Sequence, residues 1–539
     1  MHRDSQKPES PGRRRLVVAL LAALAAFICH DGDIDGPLDL YHEGERLAQI
    51  DRIDAGAMPY LDVHVPHGLG EDVLKPLLAR RLFGDSVAAL RTLGQNSYFY
   101  RGFLPPLAAA AIVLAAGMLT RSIAGAAIAC AVVCLSLYEV SERQAPGLIG
   151  IACLAGYLHS RRARWLFAAG LTAAAGLVYS FEVGLYLLAI AALWIPIDAI
   201  LRRNAKPTCG RAWTRSTATF AAGLLAGLSP LVIWALVRGV AGGVVSTLYH
   251  QLFLRTQLYP SSYPTPNWVA DQPLSANLLV NGGVLLLFYA IPIAYSAALM
   301  TVWRWKIDAT RRSALALAAL TGLVFWGTVI GRPDLWHLAY AMAGFIPFVA
   351  TAFVCLRDAR SNRALRAASA GLLLLIVTAA IQFGQFGAIG RNVFQVSSSL
   401  LPAHLRTHRA QLRSSTIPRL RGLRIPMQQA DFLESLVGYI QRHTEPNDYI
   451  LDLSDQGLLY YLAERKCPTR YAFVNYVGTP QLRKEMVDEM TRSGRLPVYV
   501  IRFATDQSTP DALGEFVDRY FKKEAQIGSV VLMRRLPSN

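Results

Sequence analysis

The segment YHEGERLAQIDRIDAGAMPYLDVHVPHG, residues 41–68, concentrates side chains that can move protons or bind charged groups. Five of them are His42, Glu43, Asp62, His64 and His67. Carboxylates and imidazoles are the usual general acids and bases of enzymes, and imidazoles are also common metal ligands. The spacing of the three histidines is not that of a zinc site, and solvation at an interface is the commoner role, so we predict no metal site.

The composition indicates a membrane protein. Of the 539 residues, 53% are hydrophobic and 17% are charged, and the mean hydropathy is +0.31, outside the usual range of soluble domains. The net charge of +17 would suit nucleic acid, but the basic residues lie in short runs between apolar segments, where membrane orientation explains them. We therefore predict no nucleic-acid binding. The seven cysteines form no Cys-x-x-Cys motif, so cysteine chemistry is not expected.

Apolar segments long enough to span a bilayer predict about eleven transmembrane helices. They lie near residues 16–33, 102–120, 123–138, 144–159, 165–180, 183–201, 216–238, 277–303, 313–331, 335–356 and 367–389. The first segment follows an arginine run but lacks a cleavage motif, so we interpret it as a retained anchor. With the amino terminus in the cytoplasm, every short basic loop falls on the cytoplasmic side. For successive loops to alternate between the two sides of the membrane, residues 165–203 must form a helical hairpin with a tight turn at residues 179–182.

From about residue 391 the sequence changes to mixed charge and ordinary hydrophobicity, which predicts a separate α/β domain. Helices are predicted at 430–443, 456–463, 480–493 and 511–521, and strands at 448–453, 497–503 and 528–533. We expect a transmembrane domain over residues 1–390, with a catalytic first outer loop at about 34–101, and a C-terminal α/β domain over 391–539. An odd number of spans predicts that this domain lies outside, in the periplasm of a bacterium.

Acidic and basic side chains recur at the predicted outer edges of the membrane helices, where ionisable groups are costly and therefore informative. Beyond the first loop these are Glu139, Glu142, Arg143, Glu182, Arg332, Asp334 and His337. A carboxylate can remove the proton of a hydroxyl that attacks a sugar, and cations can stabilise charge on a phosphate leaving group. A lipid-linked donor would hold its phosphate at headgroup depth, where basic side chains reach. The pattern indicates sugar transfer from a lipid phosphate.

The first loop resembles that of GT-C glycosyltransferases, the polytopic class that uses polyprenyl-phosphate sugars and includes protein O-mannosyltransferases and aminoarabinose transferases. In that class a membrane helix is followed by an acidic pair and a G-x-x-P-Y-x-D turn, which correspond here to His42 with Glu43 and to GAMPYLD at 56–62. Further similar segments are LFGDSVAALR at 82–91, YSFEVGLYLL at 179–188 and GRPDLWHL at 331–338. The resemblance implies an α-helical polytopic membrane protein with an outer C-terminal α/β domain.

The resemblance also implies roles for individual residues. Glu43 occupies the position of the family's catalytic carboxylate and is the expected general base, although His42 stands where the first acid of the pair is usual. The second-loop acid would be Glu139 or Glu142; Glu142 adjoins Arg143 and could equally be held in an ion pair, so Glu139 is slightly favoured. The expected donor contacts are His42, Arg46, Lys75, Glu142, Arg143, Arg332, Asp334 and His337.

Several of these residues also have a purely structural interpretation. Asp62 is a third catalytic candidate, but it could simply cap the turn that it ends. Glu43 and Arg46 are spaced i,i+3 and could form an ordinary surface pair on a helix. Arg332 and Asp334 could form an exposed ion pair of little energetic value.

Together these features predict an inverting transferase that moves a sugar from a polyprenyl-phosphate donor to a hydroxyl of a glycan, lipid or protein at the bacterial inner membrane. The donor carries its own leaving group, so no cofactor is expected; the sequence has no P-loop motif, and a divalent cation is possible but not implied. The main alternative is a transporter or lipid-linked sugar flippase, against which the sequence shows no two-half symmetry. A non-catalytic scaffold is a further alternative. The aromatic, proline-rich loop at 240–276 could be a lid or a structural cover.

Overall fold

The structure, a computed structural model, describes residues 10–30, 34–94, 102–136, 141–203, 209–250, 283–304, 307–333, 335–358, 363–382, 412–506 and 510–537. The chain divides into two compact units. The helical unit contains the described residues of 1–31, 104–230 and 261–398, and the mixed unit contains those of 32–103, 231–260 and 399–539. The predicted first outer loop therefore belongs to the same compact unit as the C-terminal segment.

Helices make up most of the described chain. In chain order they are α1 (Pro11–Cys29), α2 (His42–Leu47), α3 (Ile50–Asp54), α4 (Lys75–Phe83), α5 (Val87–Leu93), α6 (Pro105–Thr120), α7 (Ile123–Ser136), α8 (Ala145–Ser160), α9 (Ala163–Tyr179), α10 (Phe181–Arg203), α11 (Cys209–Val237), α12 (Ala241–Tyr249), α13 (Gly283–Thr301), α14 (Ala309–Phe325), α15 (Gly327–Gly331), α16 (Leu335–Asp358), α17 (Arg363–Gln382), α18 (Met427–His443), α19 (Leu458–Ala463), α20 (Pro480–Ser493) and α21 (Ala512–Tyr520). Single turns of 3-10 helix lie at Glu142–Gln144, Pro418–Leu420 and Val474–Val477, and a π-helical turn lies at Gly70–Leu74.

Apolar segments form the helical unit because a helix satisfies its backbone polar groups within the segment. Among the described residues, the helices long and apolar enough to cross a membrane are Phe181–Arg202, Trp213–Val237, Ala309–Gly331 and His337–Arg357. Shorter apolar helices lie at Pro105–Thr120, Ile123–Cys134, Ala163–Tyr179 and Leu285–Thr301. The predicted helical membrane part is thus confirmed, and the hairpin turn falls at Ser180, between α9 and α10. The number of about eleven spans stays a prediction.

Small residues allow the helices of this unit to approach closely. Gly170 of α9 and Gly223 of α11 face each other's helix, and a Cβ added at either would overlap main-chain atoms of the other. Close approach through small residues is the usual way that membrane helices gain packing contacts, because lipid supplies no hydrophobic driving force between them.

A buried carboxylate fastens three parts of the helical unit. Asp198 of α10 accepts hydrogen bonds from Arg161 at 2.6 and 3.0 Å and from Arg202 Nε at 2.9 Å. Ser313 of α14 donates to the same carboxylate at 2.6 Å. Because several donors meet one carboxylate, its burial is compensated, and the cluster ties α10 to α14 and to the turn between α8 and α9.

The C-terminal part of the mixed unit contains two sheets. Strands β1 (Leu412–Ser414) and β2 (Arg424–Pro426) pair antiparallel. Strands β3 (Ile450–Asp452), β4 (Tyr499–Phe503), β5 (Phe521–Ile527) and β6 (Val530–Arg535) form a sheet of order β3-β4-β6-β5, in which β3 and β4 are parallel and the other pairs antiparallel. The predicted α/β domain is confirmed: the four predicted helices appear as α18 to α21, and the three predicted strands as β3, β4 and β6. Strands β1, β2 and β5 were not predicted.

One hydrophobic core joins the first outer loop to the C-terminal segment. Leu47, Ile50 and Leu90 of the loop lie in the same buried cluster as Leu433 and Leu458. Burial of one such side chain contributes about 1.5–3 kcal/mol. The short helices α2, α3 and α5 therefore owe their stability to this shared core, since helices of five to seven residues are not stable alone.

Candidate active site

Helix α2, with the sequence HEGERL, carries two carboxylates in different surroundings. Glu43 is fully buried. Its Oε1 accepts a hydrogen bond from Arg91 Nε, and its Oε2 accepts from Arg91 Nη2 at 3.1 Å and from the backbone N–H of Asp39 at 2.9 Å. Arg91 also donates to main-chain carbonyl oxygens within residues 34–37. The ion pair holds the chain before α2 in place, and a role for Glu43 as general base would require this pair to break.

Glu45 points to a cleft instead, and its side chain is only 3% exposed. The Tyr476 hydroxyl donates to its Oε1, Arg46 Nη1 donates to its Oε2, and His67 Nε2 lies 3.8 Å from Oε1. Burial alone would raise the pKa of Glu45, but the charges of His67, Arg46 and His42 and the hydrogen bond from Tyr476 outweigh burial and lower the pKa to about 2. Glu45 is therefore a carboxylate at every physiological pH.

Arg46 is the buried cation of this cluster. Its Nη1 also donates to the carbonyl oxygen of His42 at 2.8 Å, and its Nη2 donates to Glu71. Burial by itself would lower the pKa of Arg46, but the charges of Glu71, Glu45 and Asp72 raise it well above its usual value. Within the described part of the chain, the buried Arg46 Nε has no hydrogen-bond partner, so one donor of this guanidinium is unsatisfied there.

An aspartate orients each of the two histidines near Glu45. His42 Nδ1 lies 2.7 Å from Asp39 Oδ2, and His67 Nδ1 lies 3.0 Å from Asp72 Oδ1. Asp72 Oδ2 also accepts the backbone N–H of His67 at 2.7 Å. A carboxylate at Nδ1 fixes the ring, so that Nε2 of His67 faces Glu45.

Three potential metal ligands belong to this cluster. Ligand atoms of His67, Glu71 and Asp72 lie within 4.8 Å of one another. Glu71 already pairs with Arg46, and Asp72 with His67. Because groups of the protein supply these contacts, we assign no metal to the three residues.

The cleft beside Glu45 has a volume of about 420 Å³, counting its open mouth. The residues that line it are Glu45, Arg46, Gln49, Ile53, Val63, His64, Val65, Pro66, Asp72, Val73, Ala472, Phe473 and Tyr476. Burial, followed by the nearby charges of Arg470 and two other histidines, lowers the pKa of His64 to about 3. The neutral His64 ring packs against Tyr471 and Tyr476 at centroid distances of 5.0 and 5.3 Å. One end of the cleft is therefore ionic, and the rest is apolar and aromatic.

Two further predicted residues of the mixed unit lie in the first loop. Asp62 is exposed, and its Oδ2 accepts the backbone N–H of Met58 at 2.8 Å. This contact caps the turn, as the structural interpretation expects, and the catalytic role of Asp62 stays a prediction. Lys75 is buried at the start of α4, four residues after Glu71. Side chains four residues apart on a helix lie on one face, so Lys75 shares the face that carries the partner of Arg46.

Other predicted residues lie in the helical unit. Glu142 and Arg143 begin a 3-10 turn that the Ser141 hydroxyl caps. Gln144 ends this turn and donates to the carbonyl oxygen of Tyr340 at 2.7 Å. His337 is one turn earlier in α16 than Tyr340, so the structure brings the predicted second-loop residues and the start of α16 together.

Glu182 of α10 is held by the hydroxyl groups of two neighbouring side chains. Its Oε1 accepts hydrogen bonds from Tyr186 at 2.6 Å and from Thr328 of α15 at 3.2 Å. Arg332 follows α15 directly, and its backbone N–H donates to the carbonyl oxygen of Thr328 at 3.2 Å. Glu139, Asp334 and residues 251–276 of the predicted loop lie outside the described residues, and the donor contacts proposed for this unit stay predictions.

Several residues of the cluster were not predicted from the sequence, among them Glu45, Glu71, Asp72, Arg91 and Tyr476. A helical pattern could have pointed to the first of these. His42, Glu45 and Gln49 are spaced i, i+3 and i+7, so they lie on one face of the helical segment. Glu43 lies on a different face, which the core covers. No local pattern pointed to Tyr476, which is 431 residues from Glu45.

Comparison with solved structures finds 18 similar chains, and two of them are structures of one protein. The chain is similar to the crystal structure of ArnT from Cupriavidus metallidurans bound to undecaprenyl phosphate, with a TM-score of 0.49 and 12% identity over 98% of this chain and 99% of that one. It is similar to the apo structure of the same protein, with a TM-score of 0.47 and 12% identity over 97% and 98% of the two chains. ArnT is an aminoarabinose transferase of the GT-C class that the sequence resembles. At this identity and TM-score, neither likeness carries a conclusion about activity. No family model and no curated protein matches the sequence.

Proposed function

We propose that the protein is a membrane glycosyltransferase that transfers a sugar from a polyprenyl-phosphate donor to a hydroxyl of a glycan, lipid or protein. The observation that carries the proposal is the pair formed by Glu45 and Arg46 at one end of the cleft. A carboxylate that is ionised at every physiological pH and a buried guanidinium with one unused donor are the two groups that this reaction needs.

Glu45 takes the role that the sequence suggested for Glu43. The acceptor hydroxyl gives its proton to Glu45 as the oxygen attacks the anomeric carbon of the sugar. Because the pKa of Glu45 is low, the proton then passes readily from Glu45 to water at the open mouth of the cleft. Glu43, by contrast, has both oxygens in hydrogen bonds to Arg91 and Asp39, which favours a structural role.

The bond between the anomeric carbon and the phosphate oxygen breaks in the same step, and the polyprenyl phosphate leaves with the electron pair. A phosphate is stable as an anion, so it needs a cation rather than a proton donor. Arg46 Nε and Lys75, on the face that carries the partner of Arg46, are the candidates in this unit. A single displacement inverts the anomeric centre, and it requires no covalent nucleophile and no cofactor.

The apolar helices support a place in a membrane, and the basic loops of the sequence support the bacterial inner membrane with the C-terminal segment on the periplasmic side. That side is where lipid-linked sugars are consumed in the proposed reaction.

The test uses the purified full-length protein in lipid nanodiscs with a panel of labelled polyprenyl-phosphate sugars and extracted envelope glycans and lipids. Free polyprenyl phosphate is measured by mass spectrometry. The wild type is expected to release it from one donor of the panel, and Glu45→Gln to do so at least 100-fold more slowly. Glu445→Gln, an exposed substitution in the same unit, is the matched control and should retain the wild-type rate.

Failure of the wild type to consume any donor of the panel would overturn the transferase function. Equal rates for Glu45→Gln and the wild type would overturn the assignment of Glu45 while leaving the reaction itself in place.

A further inference from the structure

We propose that a short loop of the C-terminal segment, residues 454–457 together with Leu458, the first residue of α19, positions the carboxylate of Glu45, and that Asp455 and Tyr476 are positioning residues of the active site. This inference rests on the proposed function. It gives the C-terminal segment a direct part in the reaction, in addition to its part in the shared core.

The loop holds the turn that carries Tyr476. Asp455 Oδ1 accepts the backbone N–H of Asn475 at 3.2 Å, one residue before Tyr476 in the turn Val474–Val477. Gly457 of the loop faces the buried ring of Phe473, and a Cβ added at Gly457 would overlap that ring. The beginning of the turn is therefore fixed to the loop by a hydrogen bond and by close packing.

The same loop holds the helix that carries Glu45. The backbone N–H of Leu458 donates to the carbonyl oxygen of Leu40 at 3.0 Å, just before α2. Gly44, the neighbour of Glu45, lies so close to Gly457 and Leu458 that a Cβ there would overlap their main-chain atoms. Backbone contact at van der Waals distance leaves α2 little freedom to shift against the loop.

Both partners of one hydrogen bond are thus attached to one five-residue segment. Tyr476 donates to Glu45 Oε1. The loop fixes the distance between the turn that carries Tyr476 and the helix that carries Glu45. Asp455 itself adopts a left-handed conformation with φ of 55°, which non-glycine residues adopt seldom and aspartate more readily than most. The aspartate side chain and this backbone conformation together shape the loop for both contacts.

A hydrogen bond to a charged carboxylate that is lost or misdirected should cost about tenfold or more in kcat. The donor KM should change little, because neither Tyr476 nor Asp455 is proposed to contact the donor. Removing the Tyr476 hydroxyl also removes one of the contacts that lower the pKa of Glu45, so the acid limb of the pH–rate profile should move to higher pH.

The test measures kcat and donor KM for Tyr476→Phe, Asp455→Ala, Asp455→Asn and the double variant Tyr476→Phe/Asp455→Ala, with the donor that the wild type consumes. Tyr476→Phe and Asp455→Ala should each lower kcat about tenfold. Asp455→Asn should retain most of the activity, because its amide oxygen can accept the same N–H. The double variant should be no slower than Tyr476→Phe alone, since Asp455 acts through Tyr476.

Unchanged kcat for Tyr476→Phe would overturn the inference whatever Asp455→Ala does, because this variant removes one oxygen atom and should fold normally. A double variant slower than Tyr476→Phe by the full Asp455→Ala factor would also overturn it, since the two residues would then act independently. These outcomes differ from failure of the proposed function: there the wild type would be inactive, whereas here the wild type is active and Glu45→Gln is not.

Discussion

Substitution of Glu43 and of Glu45, two residues apart on α2, should have opposite consequences. Glu43→Gln removes the negative partner of the buried Arg91. Breaking a buried ion pair from one side costs about 3–5 kcal/mol, because the remaining charge is left uncompensated. Arg91 keeps its main-chain acceptors within residues 34–37, so we expect the lower end of that range. About 3 kcal/mol corresponds to a fall in Tm of about 6–12 °C for a unit of this size.

Glu45→Gln should leave stability nearly unchanged. Arg46 keeps its ion pair with Glu71, and the amide oxygen of the new glutamine can still accept the hydrogen bond from Tyr476. The substitution removes the group that accepts the proton, however, so kcat should fall by about 10²–10⁴. Glu43→Gln should therefore lower the stability of the protein, and Glu45→Gln should lower its turnover.

The assay combines thermal unfolding in detergent, followed by intrinsic fluorescence, with the rate of polyprenyl phosphate release by the folded fraction. Arg91→Lys is the structural counterpart of Glu43→Gln: it should lower Tm in the same way and retain the activity of the molecules that fold. A Glu43→Gln variant with wild-type Tm and no turnover would refute the reasoning, because it would make Glu43 the base and its ion pair dispensable.

Further substitutions test the stability of each unit. The pKa of His64 is about 3 in the fold and near 6.5 in the unfolded chain. The contribution of the neutral ring to stability is therefore complete above pH 6.5 and is lost as the pH falls towards 3. His64→Phe should flatten the acid side of a curve of Tm against pH. Burial raises the pKa of Asp452 to about 7 in the fold, whereas it is near 4 in the unfolded chain. Up to about 4 kcal/mol of folding free energy is therefore present below pH 4 and is lost as the pH rises to 7. Asp452→Asn should remove this loss, and a curve of Tm against pH with the wild-type slope would contradict the raised pKa of Asp452. Asp198→Asn should lower Tm by several degrees while turnover per folded molecule stays constant, because its donors lose a common anion. Gly243→Ala should destabilise because its Cβ would overlap a main-chain oxygen, whereas Gly242→Ala, which meets open space, should not; similar Tm values for the two would count against the packing of α12.

The sequence predicted those elements whose signals are local. Basic loops on both sides of residues 165–203 required a turn within that run, and in the structure α9 ends at Tyr179 and α10 begins at Phe181, with Ser180 between them. The helix at Pro480–Ser493 was predicted with the observed bounds, because a proline starts it and Gly494 follows its last residue. Such signals depend on the sequence of one element and not on its partner.

Strand β5 shows why other elements were missed. Its sequence FKKEAQI follows α21 directly, without a turn residue, and three of its seven residues are charged. It lies at the edge of the sheet, where charged residues are common because they prevent pairing with other chains. The features that protect an edge strand are the same features that hide it from a search for alternating apolar residues.

The site that we propose differs in its general base from the one expected from the sequence, and the roles of the residues in both stay predictions. The sequence pointed to α2 and the first loop, and it named Arg46 and Lys75. It could not distinguish Glu43 from Glu45, because the difference between them is made by Arg91 and Tyr476, which lie 48 and 431 residues away. Contacts of that separation leave no trace in local spacing.

The core shared by the first loop and the C-terminal segment has a consequence for biosynthesis. Tyr476 leaves the ribosome 431 residues after Glu45, which at 5–20 residues per second is roughly 20–90 s later. During that interval the apolar side chains of α2 and α5 lack the part of their core that the C-terminal segment supplies, and exposed apolar surface of this kind favours aggregation. A message cut short before the last hundred codons would therefore yield a first loop without Tyr476, and so without the complete cleft of the proposed active site.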